Sequence, residues 1–342
     1  MTTRRNFLKN TTMLAAGLGV SPLLSSSPLR SYQKEEVING KVRIAVIGVG
    51  MGCRDLQGAL TDNPWVHCVG MCDVNKVRLE EQLARFKKDF PEQTVSIKAY
   101  TDFREVLANK EIDGVIIATP DHWHPYIFAE ALKAGKAIYV EKPVGNSISE
   151  CNAMMDFQKK YKGVVTTGLW QTSQRYFRAA NEILKSGVLG DVYKVQLWLC
   201  QSTNPRPSVE DSEAPSTLDY DMWLGPAPER PFNNSRFRGW RGFWDYGGGQ
   251  QTDWGVHWID SAFDGLKALG LCDREYPDAV FSIAYKDPAS FNETPSCQTS
   301  IFQYKNFHIE WAQQVAYLYN RNQGVAWVGS KATLVCNREG YE

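Results

Sequence analysis

The sequence has no surplus of charge of either sign. Its 38 Lys and Arg residues are matched by 38 Asp and Glu residues, so no global field draws it to a nucleic acid or an anionic membrane surface. Long apolar runs are also lacking: the moderately apolar stretch at 13–24 is too short to span a bilayer, which takes about 20 residues. The eight cysteines, at 53, 68, 72, 151, 200, 272, 297 and 336, show no zinc-like spacing. Cys68 and Cys72 would stand about 13 Å apart on an extended segment, too far to share a metal or a disulfide. Most cysteines therefore read as small core residues. No repeat or low-complexity tract follows the N-terminal leader. What is present is a chain of 342 residues, long enough for two cores. Aromatics make up 12% of it and are dense between 193 and 258, where flat rings would suit the C–H faces of a sugar or fill a sheet-packed core.

The N-terminus reads as an address. Thr3-Arg4-Arg5-Asn6-Phe7-Leu8-Lys9, followed by the apolar stretch, matches a twin-arginine export signal. Such a signal implies export of a folded protein to the periplasm, with any cofactor loaded before export. Residues 1–38 are expected to be leader. No Cys precedes Cys53, so no lipid-modified cysteine and no stable membrane anchor are expected.

From residue 42 an apolar run of strand length breaks into Gly48, Gly50, Met51 and Gly52 and resumes as a helix-compatible stretch. A strand, glycine turn and helix of this kind place the pyrophosphate of a dinucleotide over a helix N-terminus. The third glycine of a G-x-G-x-x-G pattern falls at Cys53, a residue small enough for close helix packing. A second strand at 66–72 ends at Asp73, twenty residues beyond Cys53, where a carboxylate would accept from the adenine ribose hydroxyls and repel a 2′-phosphate. NAD is therefore expected over NADP, with Arg78 as the one nearby cation that could turn toward a phosphate.

Strand and helix then alternate. Apolar spacing predicts helices over 76–90, 102–107 and 127–135, and strands over 96–100, 113–118, 136–141 and 164–168. The strand at 113–118 runs into Thr119, Pro120, Asp121, His122, Trp123 and His124, and that at 136–141 into Glu141-Lys142-Pro143, where a parallel strand would deliver side chains to a cofactor. Beyond 190 the pattern changes to alternating strands at 192–198, 279–285, 299–304 and 308–311. The expected fold is α/β: a doubly wound parallel sheet over 39–170, then an α+β domain over 171–342 with a mostly antiparallel, open sheet covered on one face by helices. An oligomer formed through that second sheet is expected.

Asp253 and His257, four apart in a helix-compatible stretch behind Gly247-Gly248-Gly249, share a helix face. There His257 can take a proton from a hydroxyl and Asp253 can orient its ring. His67 and His308 read as structural.

Taken together, Gly48-Val49-Gly50, Asp73, the 118–124 segment, Glu141-Lys142-Pro143 and the stretch from Gly247 to His257 resemble the glucose-fructose oxidoreductase, inositol dehydrogenase and MocA family. The segments 218–228 and 240–246 are similar to its twin-arginine-exported bacterial members. The resemblance implies that Lys142 is the catalytic lysine at the nicotinamide, with Asp253 and His257 as the paired residues of the substrate domain. It implies a cofactor site at Gly48, Gly50, Met51, Gly52, Asp73, Thr119, Pro120, His122, His124, Glu141 and Lys142, with NAD held tightly and no metal. The activity implied is oxidation or reduction of a secondary hydroxyl of a sugar, glycoside or polyol. The alternative is an NAD-dependent glycosidase working by transient oxidation and elimination, whose family members usually lack the Glu-Lys-Pro lysine. Residues 329–342 look like an interior strand pair, so a final strand and a returning helix found in the family are expected to be missing.

Overall fold

The computed structural model describes residues 40–50, 63, 65–91, 96–200, 205–272, 276–314 and 317–342. Residues 1–38, expected to be leader, and Met51, Gly52 and Cys53 lie outside the described residues. Two compact units emerge, the first containing residues up to Thr166 together with Glu213–Phe232, the second Thr167–Ser212 and Asn233–Glu342.

The first unit is built on β1 (Val42–Ile47), β2 (Val66–Cys72), β3 (Lys98–Tyr100), β4 (Gly114–Ile117), β5 (Ala137–Val140) and β6 (Val165–Thr167), in spatial order β3-β2-β1-β4-β5-β6. The pairings of β1 with β2 and β4, of β2 with β3 and of β4 with β5 are all parallel. This is the doubly wound sheet that the alternation predicted. Its strands separate two cores by period-two alternation. Ala45, Ile47, Val115 and Ile117 face a core completed by α2 (Phe103–Ala108) and α3 (His124–Lys133), whereas Val46, Met71 and Ile116 face one completed by Leu79 and Phe86 of α1 (Lys76–Asp89). Helix starts follow local rules. The Asn75 side chain caps α1 by accepting from Arg78 N, and Ser147 and Glu150 form a reciprocal capping box on α4 (Ile148–Tyr161), caps worth about 1 kcal/mol each.

Residues 213–232 join this unit from far along the chain. Leu218 bridges Asn75, Lys76 N donates to Thr217 O at 2.9 Å, and Asp219 N donates to Val74 O at 3.0 Å. The short α6 (Tyr220–Leu224) then brings the Trp223 carbonyl within 2.9 Å of Trp123 Nε1 and 3.0 Å of His122 Nε2.

The second unit contains α5 (Arg175–Lys185), β7 (Val192–Cys200), α7 (Asn234–Arg238), α8 (Val256–Ala268), β8 (Ala279–Tyr285), β9 (Cys297–Gln303), β10 (His308–Gln314), β11 (Gln323–Gly329), β12 (Thr333–Asn337) and β13 (Gly340–Tyr341). Its sheet runs β13-β12-β11-β7-β10-β9-β8. All pairings are antiparallel except β7 with β10, matching the expected mostly antiparallel sheet. Phe177, Ala180 and Leu184 of α5 and Trp258, Ala262 and Leu266 of α8 pack on Val195, Leu197, Trp311 and Trp327. Tryptophan dominates this core: Trp258 and Trp311 are wholly buried. Among the described residues no helix is long and apolar enough to cross a membrane.

Candidate active site

β1 delivers the chain into a turn only glycine can make. Gly48 sits at φ +90°, and a β-carbon there would lie 2.6 Å from the backbone of Ala118 and Thr119 at the end of β4. Gly48 N donates to Cys72 O at 2.8 Å, tying the turn to the end of β2. One residue further on stands Asp73, 8% exposed, whose carboxylate accepts from Val49 N at 3.0 Å and Asn75 N at 2.9 Å. Burial raises its pKa above the usual carboxylate value, opposed by those amides and by the Arg78 guanidinium. Each carboxylate oxygen retains a lone pair, so a further hydroxyl donor would relieve its desolvation. Arg78 is close to the same turn: its Nη1 lies 3.8 Å from where a β-carbon on Gly50 would be.

The end of β4 is held as tightly. His124 Nδ1 lies 2.7 Å from Pro143 O and Nε2 2.9 Å from Thr119 O, so one ring spans the ends of β4 and β5. His122 and Trp123 both reach the Trp223 carbonyl. Both histidines thus have backbone partners that rigidify this rim, and Pro120 starts the short turn that carries them. The Thr119 hydroxyl differs. It is buried with no hydrogen-bond partner among the described residues, which costs about 1–3 kcal/mol unless a ligand satisfies it.

At the end of β5, Glu141 N donates to Ile117 O at 2.9 Å, and the Glu141 carboxylate accepts from Tyr139 Oη and Lys142 N, each at 3.2 Å. Burial and then the Glu141 charge push the Tyr139 phenol up, keeping it a donor. This fixes the backbone that presents Lys142, which is half-buried. β1, β4 and β5 are neighbours, so the Gly48 turn, Thr119 and Lys142 line the carboxyl edge of one sheet.

In the second unit, Asp253 and His257 fall on successive turns of one helical run, but Gln251–Gly255 is a π-helical turn rather than the regular α-helix that their spacing implied. Such turns cluster at functional sites because the extra residue re-aims side chains. The Asp253 carboxylate pairs with Arg241 at 3.1 Å. His257 is buried at 4% exposure. Its ring meets Trp170 edge to face at 6.0 Å, and its carbonyl accepts from Gln171 Nε2 at 3.3 Å and Ser261 Oγ at 3.0 Å. Gln171 is in turn held by Arg338 Nε at 2.8 Å, and that guanidinium lies over Trp170 and Trp254 at 4.6 and 4.8 Å. Arg241, Gln171 and Arg338 escaped the sequence reading. Arg241 stood within a recognised segment, whereas Arg338 is 81 residues from His257 and carries no local signal. Among the described residues no cluster of three or more His, Cys, Asp or Glu side chains could hold a metal ion.

Residues 42–169 match the model of an oxidoreductase family with an NAD-binding Rossmann fold, and residues 178–267 match the C-terminal alpha/beta domain of the same family. The chain belongs to the Gfo/Idh/MocA oxidoreductase family. It is 33% identical over 163 residues to an alpha-N-acetylgalactosaminidase of Tannerella forsythia, covering 44% of this chain and 34% of that protein. It is 24% identical over 151 residues to an inositol 2-dehydrogenase of Salmonella typhimurium, covering 44% and 43%. Each match spans less than half of the relative's own length. Among solved structures, a levoglucosan dehydrogenase in complex with NADH and levoglucosan superposes with a TM-score of 0.64 at 19% identity, covering 87% of this chain and 74% of that one. The WlbA dehydrogenase from Bordetella pertussis, in complex with NADH and UDP-GlcNAcA, gives 0.64 at 17% identity, covering 86% and 77%. At these identities the likeness is one of fold. The first unit fits the dinucleotide of its family: the Gly48 cradle leaves no room for a β-carbon, and the Thr119 hydroxyl awaits a partner.

Proposed function

We propose that the protein is an NAD-dependent oxidoreductase acting on a secondary hydroxyl of a sugar, glycoside or polyol. The observation that carries this is the alignment of Gly48, Thr119 and Lys142 along the carboxyl ends of adjacent strands, where doubly wound sheets bind dinucleotides. Gly48 and Gly50 would admit the pyrophosphate, Asp73 would accept from the ribose hydroxyls, and Thr119 would complete the site. Asp73, already desolvated, disfavours a 2′-phosphate, which supports NAD over NADP. A bound nicotinamide supplies the acceptor or donor of a hydride at the substrate carbon.

The chain's own residues handle the proton and the charge. Lys142 donates a hydrogen bond to the substrate oxygen, stabilising the charge that grows there as the C–H bond breaks. His257 takes the hydroxyl proton, so the alcohol loses one hydride and one proton and becomes a ketone. The Arg241–Asp253 pair puts charge on the turn that precedes His257, and the Gln171–Arg338 brace fixes the backbone from which His257 projects. The deciding experiment releases bound nucleotide by denaturation for mass spectrometry, then follows NADH and ketone formation on a panel of sugars. Absence of both would reject the reading.

A second reading is favoured by the similarity to an alpha-N-acetylgalactosaminidase. In an NAD-dependent glycosidase, transient oxidation acidifies the adjacent C–H and the aglycone is eliminated. Incubation with a glycoside separates the two. The dehydrogenase yields a keto-glycoside with its glycosidic bond intact. The glycosidase releases aglycone without net NADH and exchanges the C2 hydrogen in heavy water. Lys142 supports the first outcome.

Two wider features complete the proposal. The Arg4-Arg5 motif supports export, and Arg4→Lys with Arg5→Lys should leave the protein in the cytoplasm by fractionation. The fully exposed β8, with Phe281 and Ile283 at 64% and 65% exposure, supports a homo-oligomer through the second sheet. A monomer by sedimentation would remove that element.

A further inference from the structure

The second unit holds a polar cavity lined by Arg206, Arg238, Arg241, Asp253, Asn292 and Gln250, among others. Its charges do not balance: three guanidinium groups face one carboxylate. Arg241 is paired with Asp253 at 3.1 Å, which leaves Arg206 and Arg238 as uncompensated positive charge in the same wall. Arg206 is built in rather than draped over the surface. Its main chain is clamped by Ser290 Oγ on its N–H at 3.2 Å and by Phe291 N on its carbonyl at 2.8 Å. Its guanidinium lies flat on Gly239, where a β-carbon would stand 2.2 Å from Cζ and Nε. Among the described residues only one weak hydrogen bond, Nη1 to Ser235 O at 3.4 Å, engages that group, and its Nε is buried with no hydrogen-bond partner there. A buried cationic donor held across a glycine and left unsatisfied is costly unless a ligand completes it.

The remaining wall has the opposite need. The amide oxygens of Gln250 and Asn292 are buried and likewise without a partner among the described residues, so they lack donors such as sugar hydroxyls. A neutral sugar would satisfy these oxygens and leave the guanidinium groups empty. A simple anion would do the reverse.

We infer that this cavity binds a sugar bearing an oxyanion, a carboxylate, sulfate or phosphate ester, with Arg206 and Arg238 on the anion and Gln250 and Asn292 on hydroxyls. Because Asp253 lines the same cavity, the inference deepens the oxidoreductase reading and rests on it for the identity of the ligand as substrate. Guanidinium groups suit all three anions through paired N–H donors, and the ester or acid form is separated by experiment.

The test is calorimetric titration of the full NAD-loaded chain with matched methyl glycosides of gluco, galacto and manno configuration. Each is presented with C6 as alcohol, carboxylate, sulfate or phosphate. At least one charged ligand should bind tenfold or more tighter than its neutral counterpart, with the gap shrinking as salt rises, and the tightest arm names the anion. Arg238→Gln, at an exposed position, should erase most of the gap while leaving the neutral ligand's affinity within twofold, and Arg206→Gln should do the same. Equal or weaker binding of every charged ligand overturns the inference, as does a preference unchanged in both variants. Binding is read without turnover, so the two ideas fail separately. Charge-selective binding with no NADH formed rejects the oxidoreductase reading alone, whereas oxidation of neutral sugars without charge preference rejects the subsite alone.

Discussion

β4 and β8 are both apolar strands, and they have opposite fates. Every residue of β4 (Gly114–Ile117) is buried, whereas every residue of β8 (Ala279–Tyr285) is exposed. β4 lies inside a parallel sheet whose crossover helices cover both faces, so a continuous run of Val and Ile is consistent with its surroundings. β8 ends an antiparallel sheet with one neighbour, β9, and Val280, Phe281, Ile283 and Tyr285 stand in solvent. Apolar composition reports what a strand could bury. Sheet position decides what it does bury.

The sharpest way to test the contrast is chemical. Lys142→Ala, at the rim of the buried parallel sheet, should lower turnover by about 10²–10⁴ and leave NAD bound, since one positioned polar group is worth that much. Full activity in the variant would remove Lys142 from the mechanism, and loss of NAD would make it a binding residue instead.

Core and edge of the second sheet should differ next. Trp311→Ala, at a wholly buried position, should cost about 3–5 kcal/mol in urea unfolding. Phe281→Ala on β8 should change the same measurement by no more than about 0.5 kcal/mol at dilution. A large cost for Phe281 in the monomer would mean that β8 is covered within one chain.

The two sheets should behave alike toward alkali. Cys68 on β2 and Cys336 on β12 are both buried, and burial pushes each thiol from 9.0 up to about 12. A folded thiol that keeps its proton while the unfolded one loses it stabilises the fold below pH 9, and that stability is lost as pH rises from 9 toward 12. The slope is negative throughout that window, because the unfolded chain has released protons that the folded one still holds. Cys68→Ala with Cys336→Ala should make the fall in stability between pH 8 and 10 shallower, with Cys72, also raised by burial, still contributing, and an unchanged slope would reject the assignment.

The smallest effect concerns the cofactor. NAD should bind at least tenfold better than NADP, about 1.4 kcal/mol, and Asp73→Ser should narrow the gap, with Arg78 close enough to meet the added phosphate. A wild-type preference for NADP in titration would overturn this.

Most of the first unit was legible because its signals are local. Apolar runs ending at Gly48, Asp73, Thr119 and Lys142 become parallel strands whose carboxyl ends coincide once they pair, so one motif after another lands on one edge. Asp253 and His257 were legible as a pair by spacing. The π-helical turn Gln251–Gly255, which contains Asp253, was not, because the choice between i+4 and i+5 bonding depends on tertiary packing, here of Gly255 close to Trp311.

The sequence by itself determined the parallel strands of the first unit, the helices at 76–90 and 127–135, the glycine turn and the acid that follows it, since these depend on neighbours within a turn or two, whereas the helices Ile148–Tyr161 and Arg175–Lys185 and the strand Gln323–Gly329 were not assigned from it. Tertiary structure alone decided that residues 213–232 return to the first unit, that Arg338 braces His257 through Gln171, and that Arg206 meets Gly239 beside Asp253. Those contacts join residues 33 to 167 positions apart through irregular loops. No periodicity links their sequences, and only the closing of the sheets brings them within reach.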